Sequence, residues 1–268
     1  MLKDITIGQF FPGNSFIHKL DPRFKIVFTI AFIVMLFVAD SFAGLGIGIV
    51  FVLMAFLVSR IPFKMMLKSL KPILPIIIFT SVLNILFIRT GDVIFKWSFI
   101  IITKQGFTTA AFMVIRIMAL IVGTSLLTYT TSPIVLTDAI ERLLSPLKKV
   151  KVPVHELAMM MTIALRFIPT LVEETDKIMS AQKARGADLE SGNLIQRAKA
   201  LVPILVPLFV SSFRRAEELA LAMECRCYHG GDGRTRMKQL KCSYRDFVSL
   251  LIIAGFLAVI IVFNILGI

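Results

Sequence analysis

The chain has 268 residues, of which 57% are hydrophobic, and its mean hydropathy is +0.84. This composition excludes an ordinary soluble domain and indicates an integral membrane protein. The formal net charge of +13 does not indicate nucleic-acid binding, because basic residues in a membrane protein usually mark cytoplasmic loops and can also attract anionic lipid headgroups.

Two apolar runs near the N-terminus predict the first pair of membrane spans. They cover residues 24–39 and 43–58, and each is shorter than the ~20 residues that a helix needs to cross the hydrocarbon core. Lys25 and Arg60 lie at the ends of these runs, so their charged groups can snorkel and lengthen the spans. The second span contains three glycines that permit close helix contact: Gly44, Gly46 and Gly48.

The next elements follow from composition in the same way. Residues 60–71 mix lysines with bulky apolar side chains, which predicts an amphipathic helix on the membrane surface. A third span is predicted at 72–88, a fourth at 107–127, and a last span that begins near residue 247. Residues 93–103 are rich in β-formers but too few to cross as a helix, so they predict a short hairpin or an interfacial segment.

Arg116 lies deep in the apolar run of the fourth span, where a charged side chain costs about 2.5–3.5 kcal/mol on insertion scales. Two interpretations fit this position. In the first, the guanidinium faces a partner or a polar interior. In the second, it lies near the outer interface and snorkels out, and the span begins later.

The long basic segment from residue 129 to 245 carries the pattern with the most functional content. An amphipathic helix is predicted at 134–147, and two long helix-like runs follow, each apolar in its first half and charged in its second. The first run closes with Ala184-Arg185-Gly186 and the second with Cys225-Arg226-Cys227. A single arginine at a helix C-terminus is ordinarily explained by the helix dipole. Two matched ends in one segment indicate a pair of docking points instead.

These patterns predict an all-α polytopic membrane protein with about five transmembrane helices and a cytoplasmic module of long amphipathic helices. The predicted division is 1–128 for a four-span membrane region, 129–245 for the cytoplasmic module and 246–268 for the final transmembrane helix. With the N-terminus in the cytoplasm, 26 of the 30 Lys and Arg residues lie on the cytoplasmic side, as the positive-inside rule favours. Five spans then place the C-terminus outside.

The sequence offers little material for chemistry of its own. It contains no Walker-type phosphate loop and no His-Glu-x-x-His motif, and the predicted spans carry no acidic residue for a proton or sodium relay. The cysteines are odd in number, which argues against a disulfide framework, and their spacing with His229 matches no zinc pattern well: Cys225, Cys227 and Cys242. We therefore expect no catalytic residue, no metal site and no cofactor bound by this chain.

Several motifs together resemble the transmembrane T component of energy-coupling factor (ECF) importers of vitamins and metals. The two arginine ends are similar to the paired X-Arg-X motifs of that family, although cysteines stand in the second where family members often have Ala-Arg-Gly or Ala-Arg-Ala. The resemblance covers nearly the whole chain. Its other motifs are Pro12-Gly13-x-Ser15, His18-x-Leu20-Asp21-Pro22-Arg23, Leu127-Thr128-Tyr129-Thr130-Thr131-Ser132-Pro133 and Leu165-Arg166-Phe167-Ile168-Pro169.

The resemblance implies a scaffold in the cell membrane whose cytoplasmic module consists of coupling helices. Its two arginines would dock into grooves on two ABC-type ATPase subunits, one per subunit, and those partners would bind the ATP. A separate substrate-binding membrane protein, the S component, would hold the vitamin or other micronutrient. On this interpretation the ATPase-coupling residues are Ala184, Arg185, Gly186, Cys225, Arg226 and Cys227.

Two other functions stay open from the residues alone. One is a substrate-binding ABC permease, which needs a polar site within its spans, and the candidates for that site are Asn84, Arg116, Thr124 and Ser125. The other is a membrane-bound lipid-modifying enzyme. Its chemistry would have to come from residues with no shared spacing, namely His155, Glu156, His229 and the cysteines.

Overall fold

The computed structural model describes residues 10–97, 100–187, 193–231, 240 and 242–266. Within these ranges the chain is helical apart from one β-hairpin, so the predicted fold class is confirmed. The chain divides into two compact units. Among the described residues, those up to 136 together with 240 and 242–266 form the membrane unit, and those from 137 to 231 form the long-helix unit. The functional division predicted at residues 128 and 245 stays a prediction.

The elements follow one another with short connections. In chain order the helices are α1 (Pro22–Val38), α2 (Phe42–Ser59), α3 (Phe63–Leu70), α4 (Leu74–Phe87), α5 (Lys104–Thr130), α6 (Pro133–Leu144), α7 (Val154–Ala184), α8 (Leu194–Cys225) and α9 (Tyr244–Leu266). The strands β1 (Val93–Trp97) and β2 (Ile100–Thr103) pair antiparallel. Of the two predictions for residues 93–103, a hairpin or an interfacial segment, the hairpin is confirmed. A 3-10 turn at Lys71–Ile73 leads into α4, and another at Ser145–Val150 follows α6.

Helix α5 is the centre of the membrane unit. It packs against α1, α2, α3 and α4, while α9 packs against α1 and α2. The side chains buried in this core are mostly large and apolar: Phe32, Met35, Leu36, Leu45, Val52, Phe56, Ala119, Val122, Tyr129 and Ile260. Many apolar side chains on the outer faces of these helices are exposed. Such faces are stable when the surrounding solvent is lipid, because lipid tails are as apolar as the side chains themselves.

Two glycines allow α1 to approach its neighbours closely. A Cβ atom at Gly48 would lie 2.6 Å from Cδ2 of Leu36, and a Cβ atom at Gly123 would collide with the ring of Phe32. Either side chain would push α1 away from α2 or α5. Gly46 faces open space. The expected close contact is thus confirmed for Gly48 and wrong for Gly46.

Five helical stretches of the described residues are long and apolar enough to cross a membrane. Four of them correspond to predicted spans: α2, the α3–α4 stretch, α5 and α9. The fifth is α7, whereas the prediction included α1. The number of such helices therefore agrees with the predicted number of spans, but one of the five is a different helix. The 17 residues of α1 span about 26 Å, and the 18 residues of α2 span about 27 Å, so the two helices differ by one residue and α1 stays a predicted span. Helix α7 qualifies because its first half is apolar.

The segment before α1 is anchored to the end of α5. The Phe11 N–H donates to the Tyr129 carbonyl at 2.9 Å, and the Tyr129 hydroxyl donates to the Met65 carbonyl at 3.1 Å. The ring of His18 places Nδ1 2.6 Å from Ser15 Oγ and Nε2 3.0 Å from the Phe11 carbonyl. Burial lowers the pKa of His18, and a neutral ring that carries its hydrogen on Nε2 satisfies both contacts.

The ammonium group of Lys25 is buried and does not snorkel, so that expectation is wrong. It donates to the carbonyls of His18 and Thr130 at 3.2 and 3.0 Å, and to the hydroxyl of Thr131 at 3.2 Å. All three ammonium hydrogens therefore have acceptors. The tertiary fold explains this burial, because the C-terminal end of α5 and the segment before α1 bring these oxygens to the lysine.

The carboxylate of Asp246 joins the start of α9 to the start of α1. Asp246 is fully buried. Its carboxylate accepts from the N–H of Asp21 at 2.9 Å and from the N–H of Ser243 at 2.7 Å. Asp21 in turn caps α1 and binds the Arg23 guanidinium at 2.6 Å. We call Asp21, Lys25 and Asp246, with their hydrogen-bond partners, the polar anchor.

Arg116 faces a partner within the membrane unit. Its Nη2 donates to the carbonyl of Ala39 at 2.5 Å, directly after the end of α1. The guanidinium carbon lies 4.6 Å from the centroid of the Phe112 ring and 5.8 Å from that of Phe37, distances at which a cation is attracted to an aromatic face. Arg116 therefore has an internal partner, as the first interpretation requires, and its charge also complements the negative end of the α1 dipole.

Candidate functional site

The first predicted docking point is the C-terminal end of α7. The last helical residue is Ala184, and Arg185 is the C-cap, with φ −84° and ψ 5°. Gly186 then adopts φ +86°, a conformation that is free of steric cost only for glycine. Its N–H and that of the next residue donate to the carbonyls of Lys183 and Gln182, each at 3.0 Å. These two bonds form a Schellman motif.

The second predicted docking point, at the end of α8, has the same backbone. Cys225 is the last helical residue, and Arg226 is the C-cap, with φ −94° and ψ 16°. Cys227 occupies the left-handed position with φ +55°. Its N–H and that of the next residue donate to the carbonyls of Glu224 and Met223, at 2.8 and 3.0 Å. This is again a Schellman motif, although a side chain replaces the usual glycine.

The six predicted site residues therefore occupy equivalent positions at two helix ends. All of them are exposed: Ala184, Arg185, Gly186, Cys225, Arg226 and Cys227. The prediction that both arginines close long helices is confirmed. That they dock on a partner stays a prediction.

The two left-handed positions lead to opposite expected effects of substitution. Nothing lies within 4 Å of a Cβ at Gly186, so Gly186→Ala adds only backbone strain, about 1–2 kcal/mol, while Cys227→Gly removes it. We expect roughly tenfold faster hydrogen exchange of the Ala187 amide in the first variant and slower exchange of the Tyr228 amide in the second. Mass spectrometry of the peptides that contain these amides measures both. Faster exchange at Tyr228 in Cys227→Gly contradicts the assignment of strain.

Helices α7 and α8 run antiparallel, and hydrogen bonds between their described side chains join them at two places. The amide of Gln182 donates to the Pro203 carbonyl at 3.3 Å. Eight positions earlier on α7, Glu174 accepts from the Ser211 hydroxyl and from Arg215 Nη2 at 3.0 Å. Sequence reasoning did not identify either link, because both join residues of separate helices.

The antiparallel arrangement separates the two arginines. Arg185 lies three positions after Gln182 at one end of the helix pair, whereas Arg226 lies 23 positions beyond Pro203 along α8. At 1.5 Å per residue this corresponds to about 35 Å along the axis of α8. The two guanidiniums are therefore two points of contact rather than one combined site.

The residues considered for enzymatic chemistry do not converge. His155 Nδ1 lies 3.0 Å from Glu141, and its ring packs where a Cβ at Gly231 would lie. The cysteines at 225, 227 and 242 are free and exposed, and His229 is exposed. Among the described residues there is no group of three or more His, Cys, Asp or Glu side chains that could hold a metal ion.

A cavity of about 250 Å³ lies within the membrane unit, between α1, α2, α5 and α9. Its walls are almost entirely apolar and include Phe28, Phe32, Val52, Leu126 and Ile253. A polar solute would lose its hydration there without gaining hydrogen bonds. The cavity is therefore unsuited to binding a vitamin or an ion.

Three of the four side chains considered for a permease site form hydrogen bonds within the membrane unit, and the fourth, Asn84, is half-buried. The hydroxyl of Thr124 donates to the Leu120 carbonyl at 2.8 Å, and that of Ser125 donates to the Val122 carbonyl at 2.8 Å. Arg116 is bound to the turn after α1, as described above. These groups stabilise helices, and they do not point together at a substrate position.

Comparison with known proteins assigns the chain to a family. Residues 13–237 match the family model CbiQ, described as cobalt transport protein. Curated relatives named "Energy-coupling factor transporter transmembrane protein EcfT" include one from Clostridium kluyveri, 63% identical over 94% of this chain and 93% of the relative. The proteins of that name from Thermosediminibacter oceani and Bacillus subtilis are 58% and 48% identical, over 96% of this chain and 97% and 98% of their own lengths.

The chain belongs to the CbiQ family, as the transmembrane component of an energy-coupling factor transporter. The resemblance stated from the sequence motifs is thereby confirmed. An energy-coupling factor transporter has several components, and this one is its membrane-embedded scaffold. A transmembrane component of this family is a transporter subunit and not an enzyme.

Proposed function

We propose that this chain couples ATP hydrolysis by two ABC-type ATPase subunits to substrate uptake through a separate S component. The observation that carries the proposal is the presence of two exposed arginines on matching helix ends, Arg185 and Arg226. A guanidinium offers a planar fork of donors suited to carboxylates or carbonyl oxygens in a socket. Two contacts far apart along α8 fit two ATPase subunits, one for each arginine.

The exposed apolar face of α8 supports a second membrane protein as partner. Val206, Phe209, Val210 and Phe213 are between 56% and 73% exposed, although they are large apolar residues. Contiguous surfaces of this kind mark contacts with proteins or membranes. We assign this face to the S component, which would hold a vitamin or other micronutrient, since the cavity of the membrane unit is apolar.

The N-terminus and the long-helix unit are placed on the cytoplasmic side in this proposal, where ATP is available. The support is the concentration of Lys and Arg in these segments. All three cysteines then face the cytoplasm. A thiol reagent that does not cross membranes should label the chain in inverted vesicles and leave it unlabelled in intact cells. Labelling in intact cells would show that the cysteines lie outside the cell and that the orientation is the opposite of the one proposed.

The proposal also predicts which protein hydrolyses ATP. The purified chain alone should show no ATPase activity, and ATP hydrolysis should appear only when two ATPase subunits copurify with it. Affinity purification from the native membrane, followed by mass spectrometry and an ATPase assay of each fraction, tests both statements. Robust turnover by the isolated chain, or purification without any ATPase subunit, contradicts the proposal.

A further inference from the structure

The carbonyl of Pro203 in α8 lacks its usual helical donor. Helical residues donate their N–H to the carbonyl four positions earlier. Residue 207 is a proline within α8 and has no N–H, so the carbonyl of Pro203 has no donor at that position. Each proline removes one helical donor, and Pro207 is the one that leaves the Pro203 carbonyl open.

The side chain of Gln182 uses this acceptor. Its amide donates to the Pro203 carbonyl at 3.3 Å across the α7–α8 pair. The backbone of the same residue belongs to the Schellman motif of α7, because its carbonyl accepts from the N–H groups of Arg185 and Ala187 at 3.1 and 3.0 Å. Gln182 thus binds the Arg185 end with its main chain and α8 with its side chain.

We propose that Gln182 is a positioning residue that transmits displacement of the Arg185 end of α7 to the Pro203–Pro207 turn of α8. The inference rests on the proposed function, in which an ATPase subunit moves Arg185. The acceptor is well suited to this task because no hydrogen bond within α8 competes for it at position 207. Displacement of α7 then acts on the part of α8 that also carries the exposed apolar residues Val206, Phe209 and Val210.

The test is hydrogen exchange on the copurified complex, with and without a non-hydrolysable ATP analogue. In the wild-type complex, the analogue should change exchange both at residues 184–187 and at residues 204–211. In Gln182→Met, which has similar length and no donor, the change at 184–187 should persist. The change at 204–211 should fall about fivefold, the factor expected for one neutral hydrogen bond. A wild-type response at 204–211 in this variant overturns the proposal.

Two further variants separate transmission from simple loss of stability. Gln182→Lys retains a donor and should restore at least half of the response at 204–211, whereas failure of this rescue counts against the proposal. Ser180→Ala is the control, since the exposed Ser180 hydroxyl bonds only the Asp176 carbonyl of its own helix. Ser180→Ala should respond to the analogue as the wild type does. A loss of the response at 204–211 as large as that in Gln182→Met would mean that any substitution in this part of α7 has the effect.

Pro207→Ala supplies an independent check. The new N–H at 207 can donate to the Pro203 carbonyl within α8 and displaces the Gln182 amide from that acceptor, so Pro207→Ala alone should lower the response at 204–211 as Gln182→Met does. Adding Gln182→Met to this background should then have no further effect, and a second fivefold loss would contradict the mechanism. The proposed function fails differently: in that case the wild-type complex shows no response to nucleotide at residues 184–187.

Discussion

Replacing both arginines, as Arg185→Ala together with Arg226→Ala, should abolish ATP-driven uptake by the assembled transporter. Each single variant should lower the affinity for the ATPase subunits at least tenfold. Truncating one member of a buried charged pair at an interface costs about 2–5 kcal/mol, and a factor of ten requires only ~1.4 kcal/mol. The measurements are copurification of the ATPase subunits and uptake of the substrate carried by the copurified S component.

The single variants also test the separation of the two ends. Because about 35 Å of α8 lies between Pro203 and Arg226, each arginine should act on its own subunit, and the two losses should add as free energies. Arg185→Lys should be only partly tolerated, because an ammonium group lacks the planar fork of donors. Arg214→Ala is the matched control, since Arg214 is exposed on α8 away from the helix end.

Two outcomes would contradict this account. An intact complex with unchanged uptake in the double variant would remove the arginines from the coupling site. An equal loss in Arg214→Ala would attribute the effect to positive charge in general rather than to the helix ends.

Cys225→Ala with Cys227→Gly should retain uptake, because both cysteines are exposed and the backbone of the motif is preserved.

Local sequence was sufficient to predict the helix ends and the hairpin. Gly186 marks the end of α7 because it can take a positive φ, and the β-formers between 93 and 103 indicate strands. The left-handed Cys227 could not be predicted in this way, because cysteine has no preference for that conformation. The sequence indicates a helix end at Cys227 only because the Cys225-Arg226-Cys227 motif is similar to Ala184-Arg185-Gly186.

The contacts that hold the membrane unit together were not predictable from local pattern. From the sequence alone, Lys25 is a basic residue at the end of a span that can snorkel. Only the fold brings Thr130, 105 positions away, to its ammonium group. Asp246 reads as an ordinary acidic residue at a helix start, and its partner Asp21 lies 225 positions away. Arg116 is equally ambiguous in the sequence, because its partner, the Ala39 carbonyl, lies 77 positions away. Polar residues in apolar segments thus signal a partner without identifying it.

Asp246→Ala should be among the most destabilising single substitutions in the membrane unit. It deprives the buried N–H of Asp21 of its acceptor, which costs about 1–3 kcal/mol, and removes a second acceptor from Ser243. It also removes a negative charge near the buried ammonium of Lys25. We expect a loss of about 3 kcal/mol in total, or roughly 5–10 °C in the melting temperature of the detergent-solubilised chain.

Graded variants identify the hydrogen bonds as the cause of that loss. Asp246→Asn keeps one acceptor oxygen and places an amide donor against the other N–H, so its melting temperature should lie between those of the wild type and Asp246→Ala. Asp40→Ala is the control in the same unit, because Asp40 is exposed, and it should shift the melting temperature by no more than 1–2 °C, as about 0.5 kcal/mol is usual at the surface. Equal shifts for Asp246→Ala and Asp40→Ala would mean that the polar anchor contributes nothing to the stability of the membrane unit.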